Sequence, residues 1–215
     1  MQFNNLEVAF SDKSNSDLNR AHLLFKTISS PVLSKLLTSM VKICLWLRLP
    51  ISPIIKATVF KHFCGGTTIE NSQKAMDKLW KSNIGTILDY SAEGKKSEED
   101  FNHVMEEIIR TILKSEKEES IPFSVFKFTG LCSFSLLEKM SDNSVLTKKE
   151  EVEKGLFLSR IETICRTAAE NKVPIFIDAE ESWIQNAIDN ITMEMMRKYN
   201  KEEACIYNTL QMYRN

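Results

Sequence analysis

The sequence predicts an α/β protein with parallel strands, preceded by an N-terminal helical region. Three observations predict it. Short apolar runs of β type recur four times after residue 83, in "IGTILDYSAEG", "IPFSVFKFTGLC", "VPIFIDAEES" and "ACIYNTLQMY". Long segments of helical period lie between them. Strands alternating with helices imply parallel pairing and right-handed crossovers. The chain has 215 residues, 43% of them hydrophobic and 27% charged, which suits one globular domain or one with an appendage.

The N-terminal part, residues 1–80, reads as helices with polar breaks. In "DLNRAHLLFKTIS", Leu18, Ala21, Leu24 and Phe25 fall on one helical face. Residues 31–50, "PVLSKLLTSMVKICLWLRLP", are richer in apolar side chains. Lys35, Lys42 and Arg48 interrupt them, so no clean apolar span of about 20 residues exists. The pattern predicts a packed amphipathic helix, with a helix lying on a membrane surface as the alternative, because basic residues flank its apolar face. Gly65-Gly66 in "HFCGGTT" is a turn signal, and it lacks the strand–GxxxxGK–helix setting of a phosphate loop.

From residue 81 onward the helical segments carry apolar stripes. In "SEEDFNHVMEEIIRTILKSEK", Phe101, Val104, Met105, Ile108, Ile109 and Ile112 share a face, and Ser97 with Asp100 resembles a capping box. In "KKEEVEKGLFLSRIETICRTAAENK", Val152, Leu156, Ile161, Ile164 and Cys165 are the candidate core. A third helix, "ESWIQNAIDNITMEMMRKYN", follows the strand 175–177, with Trp183, Ile184, Ala187 and Ile188 in its pattern.

Each β run ends in polar groups: Asp89 and Glu93, then Lys127, then Asp178, then Asn208, Thr209 and Gln211. In parallel βα folds those ends meet on one face, where active sites lie. Taken singly, each group has a plainer reading. Asp89 and Asp178 could cap the helices that follow, and Gln211 could be an edge residue. Lys127 is harder to place so, because an unpaired ammonium between Phe126 and Phe128 is costly in a core. It calls for an anionic partner or a polar cavity.

The motifs "FIDAEESWIQNAID", "YNTLQMY" and "ILDYSAEG" together resemble the proline dehydrogenase family, with Asp178 and Gln211 spaced 33 residues apart. The N-terminal "AFSDKSNSDLNRAHLLF" and "FKHFCGGTTIENS" fit the same family, so the resemblance covers nearly the whole chain. It implies a distorted (βα)8 barrel that binds FAD, oxidises L-proline to Δ1-pyrroline-5-carboxylate and passes electrons to a quinone. By the same resemblance, Lys127 holds the proline carboxylate and Asp178 lies beside flavin and substrate. Gln211 touches the flavin ring, and Glu93, near Asp89, belongs to a gate. The flavin does the redox chemistry and the protein orients it.

The chain departs from that pattern in having about four βα units, where a barrel of roughly 250 residues needs eight. The expectation is an incomplete barrel over residues 81–215 without its C-terminal half, inactive by itself, with open edges that favour oligomerisation. A non-catalytic α/β interaction module is the alternative. A formal net charge of −1 gives no support for nucleic-acid binding. The three histidines and five scattered cysteines predict neither a metal site nor a disulfide framework. The chain is expected to be cytoplasmic or mitochondrial-matrix-like rather than secreted, with peripheral membrane contact through its N-terminal helices.

Overall fold

The computed structural model describes residues 4–90, 94 and 97–213. The chain divides into two compact units, Met1–Ser82 and Asn83–Asn215.

The first unit is helical. It contains α1 (Leu6–Ala9), α2 (Asn15–Ile28), α3 (Pro31–Trp46) and α4 (Ser52–Ile55), then a π-helical turn (Lys56–Phe60), α5 (Lys61–Phe63) and α6 (Ile69–Trp80). Local signals set the ends. Ser14 and Asp17 form a reciprocal capping box on α2, Ser30 caps α3 ahead of Pro31, and Thr68 caps α6. Gly66 makes the turn before α6 possible, since a Cβ there would lie 2.6–2.8 Å from Ser72 and Asn71 atoms. Packing is thin in this unit. Phe25 meets His62 and Phe63 edge to face, but α3 buries none of its residues. The packed-helix expectation for α3 is therefore not met.

The second unit is the α/β part. It runs β1 (Ile87–Leu88), α7 (Glu98–Ser115), β2 (Phe123–Phe126), a 3-10 turn (Phe128–Gly130), α8 (Phe134–Ser141), α9 (Lys148–Glu170), β3 (Ile175–Ile177), α10 (Gln185–Tyr199) and β4 (Ile206–Asn208). The sheet order is β1-β2-β3-β4 and every pair is parallel, so the expected series of four strands joined by helical crossovers is present. Phe126 pairs with Ile177, and Ile177 with Asn208.

The strand period of two splits the sheet into two faces. Ser124, Phe126, Ile175, Ile177 and Ile206 are buried. The four apolar ones form one core with Val104, Ile108 and Ile112 of α7, Phe157, Ile161 and Ile164 of α9, and Ile188 of α10, while Ser124 bonds to the Thr111 hydroxyl at 2.9 Å. Phe123, Phe176 and Tyr207 take the other face. Phe123 stacks on Phe176 with centroids 4.7 Å apart, and Tyr207 lies 5.5 Å from Phe176. These rings are only partly covered.

Several details differ from the sequence reading. The short helix α8 was not foreseen. Val152 and Leu156 are 65% and 44% exposed, because the buried stripe of α9 is Phe157, Ile161, Ile164, Cys165 and Ala168. At 100° per residue both lie more than a quarter-turn from the centre of that stripe. α10 begins at Gln185, so Trp183 lies outside it and is exposed. Arg160 is 4% exposed within the α9 stripe. It donates to Asn102 Oδ1 at 2.8 Å and to the Leu131 carbonyl at 3.1 Å, and pairs with Glu98. Those partners make a buried guanidinium tolerable. All five cysteines are free thiols; burial raises the pKa of Cys132 and Cys165.

Candidate active site

Where the strands end, the residues that follow leave the sheet side by side. The Asp178 amide donates to the Phe126 carbonyl at 3.0 Å, which carries the β2–β3 ladder one step past the strands. Lys127 and Asp178 thus emerge at the same level. By alternation they share the aromatic face of Phe123 and Phe176, as does Asp89 beyond β1. The Lys127 ammonium lies 3.9 Å from Asp89 Oδ2 and 3.9 Å from Asp178 Oδ2.

This answers the cost of Lys127. The lysine sits just past β2, at the head of the 3-10 turn. Two carboxylates flank it, and about a quarter of its side chain is exposed. The two contacts of 3.9 Å are electrostatic rather than hydrogen-bonded. The helix-cap readings of the acids fail. Asp178 Oδ1 accepts from the adjacent Ala179 amide, the position before α10 is Ile184 with no side-chain cap, and Ser97 caps α7. Glu93 lies outside the described residues.

Beneath the cluster, Glu180 ties three strand ends together. Its carboxylate accepts from the Phe128 amide at 2.8 Å and the Thr129 amide at 3.2 Å, and also from the Thr129 hydroxyl. Its own amide donates to Gln185 Oε1 at 2.9 Å. Its carbonyl accepts from Gln211 Nε2 at 2.5 Å. Gln185, 1% exposed, donates in turn to Asp189, which also receives the Asn208 amide at 3.0 Å. The residue that carries Lys127's turn, the loop after Asp178 and the segment after β4 are thereby held in one polar network. Sequence reasoning did not single out Glu180 or Gln185. Their partners lie about fifty residues away or across a turn, and no local pattern marks such links.

Burial raises the Glu180 pKa above the ordinary value of 4.5, against the lowering effect of its hydrogen bonds. Folded Glu180 therefore holds its proton more tightly than unfolded Glu180. Its contribution to stability is greatest at low pH and declines as pH rises from about 4.5 through the raised value. Glu180→Gln keeps an acceptor for the two amides and removes the ionisation. Its melting temperature relative to the parent is expected to climb as pH rises from acidic to neutral. A gap that shrinks over that range would contradict the assignment.

Gln211 bears on the fit of a flavin. Its Nε2 faces a carbonyl, which can only accept, so the amide orientation is fixed. Its Oε1 is buried with no partner among the described residues. An orphaned buried acceptor is costly unless a donor arrives. A ring N–H of an isoalloxazine is such a donor, and the aromatic face of Phe123, Phe176 and Tyr207 is a compatible wall. The residues present fit a flavin. No group of metal-ligating side chains occurs among the described residues.

A parallel sheet covered by helices on one face, with ionisable groups gathered at its strand C-termini, defines the class: part of a βα-barrel-type fold with its site at the carboxyl end of the sheet. The chain belongs to the proline dehydrogenase family, whose sequence pattern matches residues 72–215. Proline dehydrogenase 1, mitochondrial, of Dictyostelium discoideum is 38% identical over 206 residues, 79% of this chain and 36% of that protein. The carbapenem antibiotics biosynthesis protein CarD of Pectobacterium carotovorum is 32% identical over 70% of this chain and 40% of its own length. The crystal structure of proline utilization A from Bdellovibrio bacteriovorus, inactivated by N-propargylglycine, has the same fold. Its TM-score is 0.56 at 15% identity, over 95% of this chain and 20% of that one. The chain thus spans well under half the length of these relatives.

Proposed function

We propose that this chain supplies the lysine–carboxylate part of a site that oxidises L-proline to Δ1-pyrroline-5-carboxylate with FAD as cofactor and a quinone as the final acceptor. The observation that supports it most is Lys127 held between Asp89 and Asp178 at the strand ends of a proline dehydrogenase family sheet.

In this reading the proline carboxylate binds the Lys127 ammonium, and the substrate ring lies toward the aromatic face. Asp89 and Asp178 hold the lysine side chain in place before substrate arrives and offset its charge. Gln211 Oε1 accepts a ring N–H of the flavin, with its other end anchored on the Glu180 carbonyl. Bound FAD supplies the acceptor for the hydride that leaves the proline ring carbon as the carbon–nitrogen double bond forms. The chain's own task is orientation, because hydride transfer needs donor and acceptor roughly 3–3.5 Å apart. The family resemblance assigns Glu93 a gating role. Residence in a mitochondrial-matrix-like compartment accords with the mitochondrial name of the Dictyostelium relative.

Lys127 is a single flexible cation and cannot by itself fix a carboxylate in one orientation. Gln211 and the open aromatic face reach only one side of a flavin, whereas tight cofactor sites bury most of the ligand. Purified residues 1–215 are therefore expected to be colourless and to show no proline-dependent dye reduction with FAD added. Yellow protein that turns over proline would show that these four βα units suffice, through self-association or otherwise.

A further inference from the structure

The catalytic reading uses residues of the second unit alone. The first unit holds a cavity of its own, of about 1000 Å³. Its wall comes from α2, the π-helical turn, α5 and α6. The chemistry of that wall is one-sided. Lys13, Arg20, Lys56, Lys61, Lys74 and Lys78 line it, against the single carboxylate of Asp17.

That carboxylate is already engaged. Asp17 Oδ1 accepts from Arg20 at 2.7 Å, while Oδ2 accepts from the Ser14 hydroxyl at 2.8 Å and lies 3.8 Å from Lys78. Lys56, Lys61 and Lys74 are exposed and make no ion pair among the described residues. Arg20 is only half used, since its Nε is buried with no partner among the described residues. Cations gathered around one cavity repel one another and focus a positive field into it. A bound anion relieves the repulsion and offers the guanidinium fork a second acceptor.

The same cavity has an aromatic side. His62 lies edge-on to Phe25 and to Phe63, with centroids 5.2 and 4.9 Å away. Edge-on packing leaves ring faces free, and Phe25 and Phe63 are 51% and 57% exposed. A flat heteroaromatic ring stacks on such faces whatever the pattern of its polar edge. Size then selects among anions. Pockets for single small ligands run up to about 1000 Å³, so the volume suits one molecule with both a charged and a flat part. Orthophosphate alone would leave the rings unused. A nucleic-acid strand calls for a basic track along a surface, and the formal net charge of −1 supplies no wider field.

We infer that this cavity binds a nucleoside polyphosphate, its phosphates among Arg20, Lys56, Lys61 and Lys74 and its base against the rings of Phe25, His62 and Phe63. The inference goes beyond the catalytic reading and does not depend on it. Isothermal titration calorimetry of the full chain with ATP, without divalent cations, tests it. Tripolyphosphate and adenosine serve as the two halves of the ligand. ATP is expected to bind roughly tenfold more tightly than tripolyphosphate, as one stacked base provides, and adenosine not measurably. Lys56→Glu with Lys61→Glu alters two exposed side chains and is expected to weaken ATP binding by roughly tenfold or more. Phe63→Leu keeps apolar bulk and is expected to bring ATP down to the affinity of tripolyphosphate, whose own binding stays unchanged. Circular dichroism checks that each variant keeps its helices. Absence of ATP binding at millimolar concentration would overturn the inference. So would equal affinity for ATP and tripolyphosphate, which marks a general anion sink. ATP binding left unchanged by the double lysine variant would also overturn it, by placing the nucleotide elsewhere, as at the flavin site.

Discussion

Lys127→Ala, in an enzyme containing residues 1–215, is expected to raise the KM for L-proline while leaving flavin content near that of the parent. The substitution removes the cation that the proline carboxylate meets, and it touches neither Gln211 nor the aromatic face. A charge-assisted hydrogen bond is worth about 1.5–3 kcal/mol, so kcat/KM should fall roughly 10- to 150-fold. Part of the loss is repulsion. Without the ammonium, the negative charge of Asp89 and Asp178 acts on the incoming carboxylate, since each lies 3.9 Å from the Lys127 nitrogen. Lys127→Arg should recover some of the affinity, because charge matters more there than shape. Equal losses of flavin and of proline affinity would indicate that Lys127 supports the sheet rather than the substrate.

Phe157→Ala is expected to be the most damaging single truncation in the second unit. The ring is fully buried in α9, edge-on to Phe128 with centroids 5.3 Å apart. Phe128 follows Lys127 and stacks in turn near Phe126 at 5.9 Å. Removing a buried phenylalanine costs about 3–5 kcal/mol once the cavity is included. That is a large share of the roughly 5–15 kcal/mol that stabilises a domain, and it corresponds to a fall in Tm of about 10–20 °C. Urea denaturation followed by circular dichroism would measure it. A loss below 1 kcal/mol would mean that the core between α9 and the turn after β2 is not packed as described. Phe157→Leu should cost much less, since volume is largely kept.

The two predictions share the turn after β2, and the sequence announced only half of it. Lys127 was visible because a lysine between two phenylalanines breaks a local rule, and broken rules flag sites. The strands were visible because apolar runs of three or four residues stopped abruptly at polar groups. What organises the turn was not visible. Glu180 reads in sequence as one acid among several, and Gln185 as an ordinary helix residue. Their roles come from partners across a turn, as between Glu180 and Gln185, or brought near by the βα crossovers, as Phe128 and Gln211 are to Glu180. Arg160 was hidden for a similar reason: within an apolar stripe, a guanidinium is acceptable only because Glu98, Asn102 and the Leu131 carbonyl converge on it. The face of α9 was misjudged at its N-terminal end, where Val152 and Leu156 continue an apolar pattern without a neighbour to cover them. Helix α8, with eight residues, is too short for its period to be read.

The position of substrate over the strand ends is the claim on which the rest depends. Anaerobic titration of the oxidised flavin band with L-proline tests it most directly, in an enzyme that contains this chain, comparing the parent with Lys127→Ala. The account predicts that L-proline bleaches the parent's flavin, and that Lys127→Ala reaches the same end point only at proline concentrations at least tenfold higher. Bleaching of both proteins at the same proline concentration would place the substrate elsewhere and contradict it.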